Sequence, residues 1–209
     1  LVFSVKDRAY VEGFIADLGG EQELPFIREE ELRDLVCRSI IAVECENSLW
    51  VCERMPDFGK ELKPQKWLNG KPGMSKSAVL PTVIVKEEDR HPLLKWQENN
   101  RKPIHVWHVF YDRGYGLALD EAERLVNSGL ILPTEQTFQA PGGAVTQKKL
   151  YKFYYHYAYP LGVSSSAPNL LPDYVQDKNG HILPYVRFDG GELELSETAI
   201  SLLESLWQR

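Results

Sequence analysis

Apolar and polar positions alternate along this chain with two different periods, and the changes between them mark the predicted elements. Residues 5–18 predict a short helix ended by Gly19 and Gly20. Residues 25–38 predict a second helix. Phe26, Leu32, Leu35 and Val36 form its apolar stripe, and Glu29, Glu30, Arg33 and Asp34 surround it. The β-branched run over 39–46 predicts a strand. Residues 56–81 read as loop because Pro56, Gly59, Pro64, Gly70, Pro72, Gly73 and Pro81 punctuate them. A strand over 82–86 (TVIVK), a helix over 92–99 and a strand over 104–110 (IHVWHVF) follow. That order predicts a right-handed crossover joining two strands of one sheet, with residues 115–119 extending it. Asp120 is placed as the cap of a helix, EAERLVNSG, that stops at Gly129. Residues 146–159 (TQKKLYKFYYHYAY) read as a half-buried strand, and residues 181–195 as a hairpin turning at Asp189-Gly190-Gly191. A last helix opens at Ser196, with Ala199, Ile200, Leu203 and Trp207 on its apolar face.

At 209 residues, 43% hydrophobic and 26% charged, the composition is that of a globular protein and excludes disordered, collagenous and low-complexity classes. A chain of this length buries roughly 70% of its extended surface, enough for one core, so a single domain over 1–209 is expected. No apolar run is long enough to span a membrane. The first residue is Leu1 rather than Met, which leaves room for residues before it and makes the lack of a signal peptide weak information. The 30 acidic and 24 basic side chains give a net charge of -6, against a nonspecific nucleic-acid coat but not against a site with clustered lysines. Cys37, Cys45 and Cys52 are odd in number and contain no C-x-x-C pair, so they read as buried free thiols of a reducing cytoplasm.

Residues 40–48, IIAVECENS, carry the most chemistry. Strand alternation sends Ile41, Val43 and Cys45 one way and Ala42, Glu44, Glu46 and Ser48 the other. Two carboxylates on one face, about 6.5–7 Å apart at Cα, repel and call for a counter-charge. A divalent cation such as Mg²⁺ supplies it through oxygen ligands, and can activate water and neutralise a phosphate under attack. The competing reading is a solvated sheet face. Lys86, at the end of the next apolar strand and followed by Glu87, Glu88 and Asp89, is a candidate to orient water or meet a phosphate; otherwise it is a strand-end surface residue.

The segments AVECENSLW, LPTVIVKEEDRHPLLKW and KPIHVWHVFYDRGYGLAL together resemble the PD-(D/E)XK nucleases, and more narrowly the type II restriction endonucleases of bacteria and archaea. The resemblance implies an α/β (α+β) fold with a restriction-endonuclease-like core: a mixed central sheet flanked by helices, with a C-terminal β-rich and helical extension. The catalytic core would span about 25–130, and residues from about 131 to 209 would contact DNA or form a dimer. By the same resemblance Glu44 ligates the metal, and Glu46 stands where the family usually has lysine. Lys86 is the candidate to replace that lysine. Asp34, ten residues before Glu44, is the first candidate for the upstream acid and third metal ligand; Asp57 and Glu30 are weaker ones.

Two basic clusters are candidate DNA contacts. Lys60, Lys63, Lys66, Lys71 and Lys76 face the single acid Glu61 in a Gly/Pro loop, and Lys148, Lys149 and Lys152 interleave with Tyr151, Phe153, Tyr154, Tyr155, Tyr157 and Tyr159. The aromatics read as strand packing slightly better than as base-stacking groups. His105 and His108 point to opposite sides of their strand and make poor joint metal ligands. Asp112 and Arg113 either reach DNA or pair with each other. The expected activity is Mg²⁺-dependent, site-specific cleavage of double-stranded DNA by a homodimer in a prokaryotic cytoplasm. The alternatives are a catalytically silent DNA-binding module on the same core and a repair or RNA-processing nuclease.

Overall fold

The computed structural model describes residues 1–61, 78–139, 145–176 and 182–208. It is a mixed α/β protein of the α+β class. The central sheet has five strands in the order β1 (Ala42–Asn47), β3 (Ile104–Val109), β4 (Arg113–Ala118), β7 (Tyr159–Ser166), β10 (Glu192–Leu195). β1 and β3 are parallel, and every later pair is antiparallel. A second sheet pairs β2 (Thr82–Lys86) with β6 (Val145–Tyr154) and β6 with β5 (Thr134–Gln139), all antiparallel. β8 (Asn169–Gln176) and β9 (Ile182–Asp189) pair only with each other among the described strands.

The parallel pair differs from the expected one. β2 does not join the sheet of β3; it pairs with β6, where Val83 lies opposite Phe153 and Val85 opposite Tyr151. These four side chains are buried in one core with Val106, Phe110, Leu117, Ala122 and Leu125. Aromatic against β-branched cross-strand pairs favour this partnership over one with β3. The crossover instead runs from β1 to β3, and β2 and α3 (Glu87–Asn100) lie within it.

α3 begins five residues earlier than Pro92, the expected first residue. Glu87, Glu88 and Asp89 occupy its first turn, where carboxylates complement the positive end of the helix dipole. α4 (Leu119–Asn127) starts ahead of Asp120, which sits in the first turn rather than at the cap and accepts from Gln97 Nε2 at 2.7 Å. The chain leaves α4 through Gly129 at φ 69°. The expected helix over 25–38 is split. A 3₁₀ turn at Glu21–Phe26 contains Pro25, and α2 covers only Arg33–Arg38. Leu35 and Val36 are buried, whereas Phe26 is 82% exposed.

The N-terminal helix is seen as a 3₁₀ turn and α1 (Arg8–Asp17), followed by Gly19 and Gly20 at positive φ. α5 (Glu197–Trp207) is capped by Ser196, whose Oγ accepts from the Ala199 amide at 3.1 Å. Its buried stripe is narrower than expected: Ala199 and Leu203 are inside, but Ile200 and Trp207 are exposed. The glycines at 190 and 191 do not turn a hairpin. They carry the chain from β9, paired with β8, to β10, paired with β7. Gly191 (φ 80°) passes so near Pro168 that a Cβ would lie 2.8 Å from its nitrogen. Only Cys52 of the three thiols is buried; Cys37 and Cys45 are exposed, and all three are free. Among the described residues no helix is long and apolar enough to cross a membrane.

Candidate active site

β1 presents Glu44 and Glu46 on one face, opposite Val106 and His108 of β3. The neighbouring sheet brings Lys86 to them from the end of β2. Its Nζ donates to Glu46 Oε1 at 2.6 Å and lies 3.7 Å from Asp89 Oδ2 in the first turn of α3. These four charged side chains share a small cleft walled by Ile84, Val85, Leu93 and Val106. Its free volume is about 10 Å³, on the scale of one water-sized sphere.

Three carboxylates face one ammonium, so the cleft is under-compensated. The Glu44 carboxyl is pushed above its ordinary range, first by burial and then by Glu46 and Asp89, with Lys86 opposing. The Lys86 ammonium is held above its usual value chiefly by its hydrogen bond to Glu46. His108, buried beside Glu46, is pushed down to about 4 by desolvation and is neutral at physiological pH.

α3 is held against α4 by Arg90. Its guanidinium forms two bonds to the Glu123 carboxylate, one of them at 2.6 Å, and lies over the Tyr151 ring. This clamp sets where Asp89 stands, three residues after Lys86.

Glu44, Glu46 and Lys86 are therefore brought together, and Asp34 is not. It is exposed on α2 and accepts a hydrogen bond from Tyr10 Oη at 3.2 Å. Asp89, rather than Asp34, is the third acid that lines the cleft. Its signal lies in the run Lys86-Glu-Glu-Asp89, which a helix start at Pro92 leaves without a defined direction. Asp57 holds a turn instead: it accepts from Lys60 Nζ at 2.8 Å and from the Val79 amide at 2.9 Å.

The two lysine clusters are described only in part. Lys60 is exposed and ion-paired to Asp57; Lys63, Lys66, Lys71 and Lys76 lie outside the described residues. Lys148 pairs with Glu88 of α3, and Lys152 lines a cavity beside the acidic cleft. Strand alternation puts Lys149 on the other face of β6 from both, so the three lysines do not form one patch. Tyr151 and Phe153 pack in the core, as strand residues. His105 and His108 do face opposite sides: His105 Nδ1 shares a hydrogen bond with Tyr159 Oη at 2.8 Å, and Trp107 Nε1 donates to the same oxygen at 2.9 Å. The Tyr159 ring lies against Gly116, where a Cβ would come within 2.2 Å of it. Asp112 and Arg113 are paired, and Asp112 also accepts from the Cys52 amide at 2.7 Å, tying the β3–β4 turn to the segment after β1.

The donor set suits a hard cation, being carboxylate oxygen with surplus negative charge. The Lys86 ammonium now supplies part of the counter-charge. Among the described residues no group of three His, Cys, Asp or Glu side chains is gathered tightly enough to hold a metal ion by itself. Comparison with known proteins gives no match to any protein family, curated protein or solved structure.

Proposed function

We propose that this chain is a Mg²⁺-dependent endonuclease of double-stranded DNA, of the type II restriction class, with a restriction-endonuclease-like core. The observation that carries the reading is the convergence of Glu44, Glu46, Lys86 and Asp89, from two strands of different sheets and one helix, on a single cleft. Glu44 and Glu46 would be the side chains that hold the metal, with Asp89 adding negative charge beside them rather than a third ligand. When bound, the ion supplies Lewis-acid stabilisation of charge on the scissile phosphate. Lys86 has a flexible stem and three donors, so it can leave Glu46 for a phosphate oxygen or for the attacking water. Cleavage of both strands calls for a two-fold assembly, a homodimer on duplex DNA in a prokaryotic cytoplasm.

One observation favours a second reading. The close Lys86–Glu46 pair neutralises itself, as it would in a module that binds DNA without cutting it.

Incubation of mixed-sequence plasmid with the protein, in Mg²⁺ and in EDTA, separates the two. Discrete Mg²⁺-dependent fragments support site-specific cleavage, and a smear indicates an unspecific nuclease. A mobility shift without cutting supports the silent binder.

A further inference from the structure

A larger cavity, about 410 Å³, opens beside the acidic cleft and shares Ile84 with it. That volume is in the range of pockets that hold small molecules. Ser48, two residues beyond Glu46 on the same face, lines it, so the two sites lie one strand step apart. Its wall includes the aromatic rings of Trp50, Phe110 and Tyr154. Trp50 is 62% exposed, so its indole face is open to a ligand.

The polar groups of this cavity suit the edge of a heterocycle. Thr134 and Gln136 line it from β5, and the Gln136 amide offers both donors and an acceptor. His108 also lines it, is 4% exposed, and stacks on Phe110 with ring centroids 4.6 Å apart. Its Nδ1 is buried and has no hydrogen-bond partner among the described residues. That atom is closed to solvent, so it is the His108 ring, rather than this nitrogen, that meets the cavity. Lys152 adds a cation to the same lining.

We propose that this cavity is a nucleobase pocket, which takes an unstacked base from the strand whose phosphate lies over the Glu44–Glu46 cleft. The proposal rests on the nuclease reading and adds to it a site for the base. Aromatic walls with a few hydrogen-bonding groups at one edge are what reading an extruded base requires. Phe110 and Tyr154 also pack in the core, so Trp50 is the exposed ring on which a base would stack.

The test uses the whole chain in EDTA, where cutting is suppressed. dAMP, dGMP, dCMP and TMP are each titrated by calorimetry, with 2-deoxyribose 5-phosphate as the base-free control. At least one mononucleotide should bind saturably, and tighter than the control by roughly tenfold or more. Gln136→Ala and Trp50→Ala, both at the rim and with folding checked by thermal melting, should each weaken that mononucleotide several-fold. Mononucleotides that bind no better than the sugar phosphate, or binding that neither variant alters, would overturn the proposal. Plasmid cutting in Mg²⁺ on the same preparations keeps the two readings apart. Base binding without cutting removes the nuclease reading and leaves a base-binding site; cutting without base preference removes the pocket alone.

Discussion

Glu44 carries the charge that the cleft compensates least, and its stability effect follows from that. Its folded-state carboxyl sits above the ordinary range, so the folded chain holds that proton more tightly than the unfolded chain. Stability from this group is full at pH below the unfolded value and is lost as pH rises through the folded one. At neutral pH the ionised carboxylate is therefore a cost. Glu44→Gln should raise the melting temperature near pH 7 by on the order of 1–2 °C, a fraction of a kcal/mol in a chain this size. The gain should vanish in melts at acidic pH, where Glu44 is protonated in both states. Mg²⁺ should raise the melting temperature of the native protein more than that of Glu44→Gln. Lys86→Met acts in the opposite direction. It leaves Glu46 and Asp89 without their cation and should destabilise by about 1–2 kcal/mol in denaturant titrations. Alternation alone placed Glu44 and Glu46 on one face, and chain order suggested Lys86. Separation in sequence points to Asp34 but says nothing about direction; on α2 it turns to Tyr10 and solvent.

At the scale of elements, the cleft depends on α3 being fixed, and Arg90 fixes it. Both partners of the Arg90–Glu123 pair are largely shielded, at 21% and 15% side-chain exposure, so screening by water is incomplete. Arg90→Met should cost about 2–3 kcal/mol in chemical unfolding, more than removal of an exposed pair such as Arg8–Glu12. If Asp89 serves the reaction, the same variant should slow cutting at temperatures where it remains folded. Individual strands were legible because β-branched runs and alternation are local. Their partners were not. β2 is adjacent to β3 in chain order, yet pairs with β6 about seventy residues further on, where Phe153 and Tyr151 meet Val83 and Val85. Likewise Gly190-Gly191 reads as a hairpin turn, but the two strands that it joins belong to different sheets. The start of α3 is set by three first-turn acids ahead of Pro92 rather than by the proline itself.

At the scale of the molecule, the net charge of -6 means that any DNA contact must come from local groups. Lys148 is engaged by Glu88 and Lys60 by Asp57. Two described lysines of the basic clusters are thus committed to carboxylates, and the salt dependence of DNA binding measures how many cations of the whole chain reach phosphates. Each phosphate neutralised contributes about −0.9 to the slope of log K against log salt. Lys149→Glu, on the face of β6 away from the cavity, should weaken binding uniformly across sequences if that lysine touches the backbone. Filter binding at several salt concentrations measures both effects. The two-fold assembly proposed above predicts a dimer by sedimentation at micromolar concentration. The fold class was legible from the order of helices and strands, but which residues face one another across the two sheets required the structure.

The central claim is that Glu44 and its neighbours form a metal-dependent hydrolytic centre. The most direct measurement is the rate of duplex cleavage in Mg²⁺ by the native chain and by Glu44→Gln, at matched fold content. The account predicts cutting that stops in EDTA and a loss on the order of a hundredfold or more in the variant. Native-like cutting by Glu44→Gln, or a native chain inert toward duplex DNA in Mg²⁺, would contradict it.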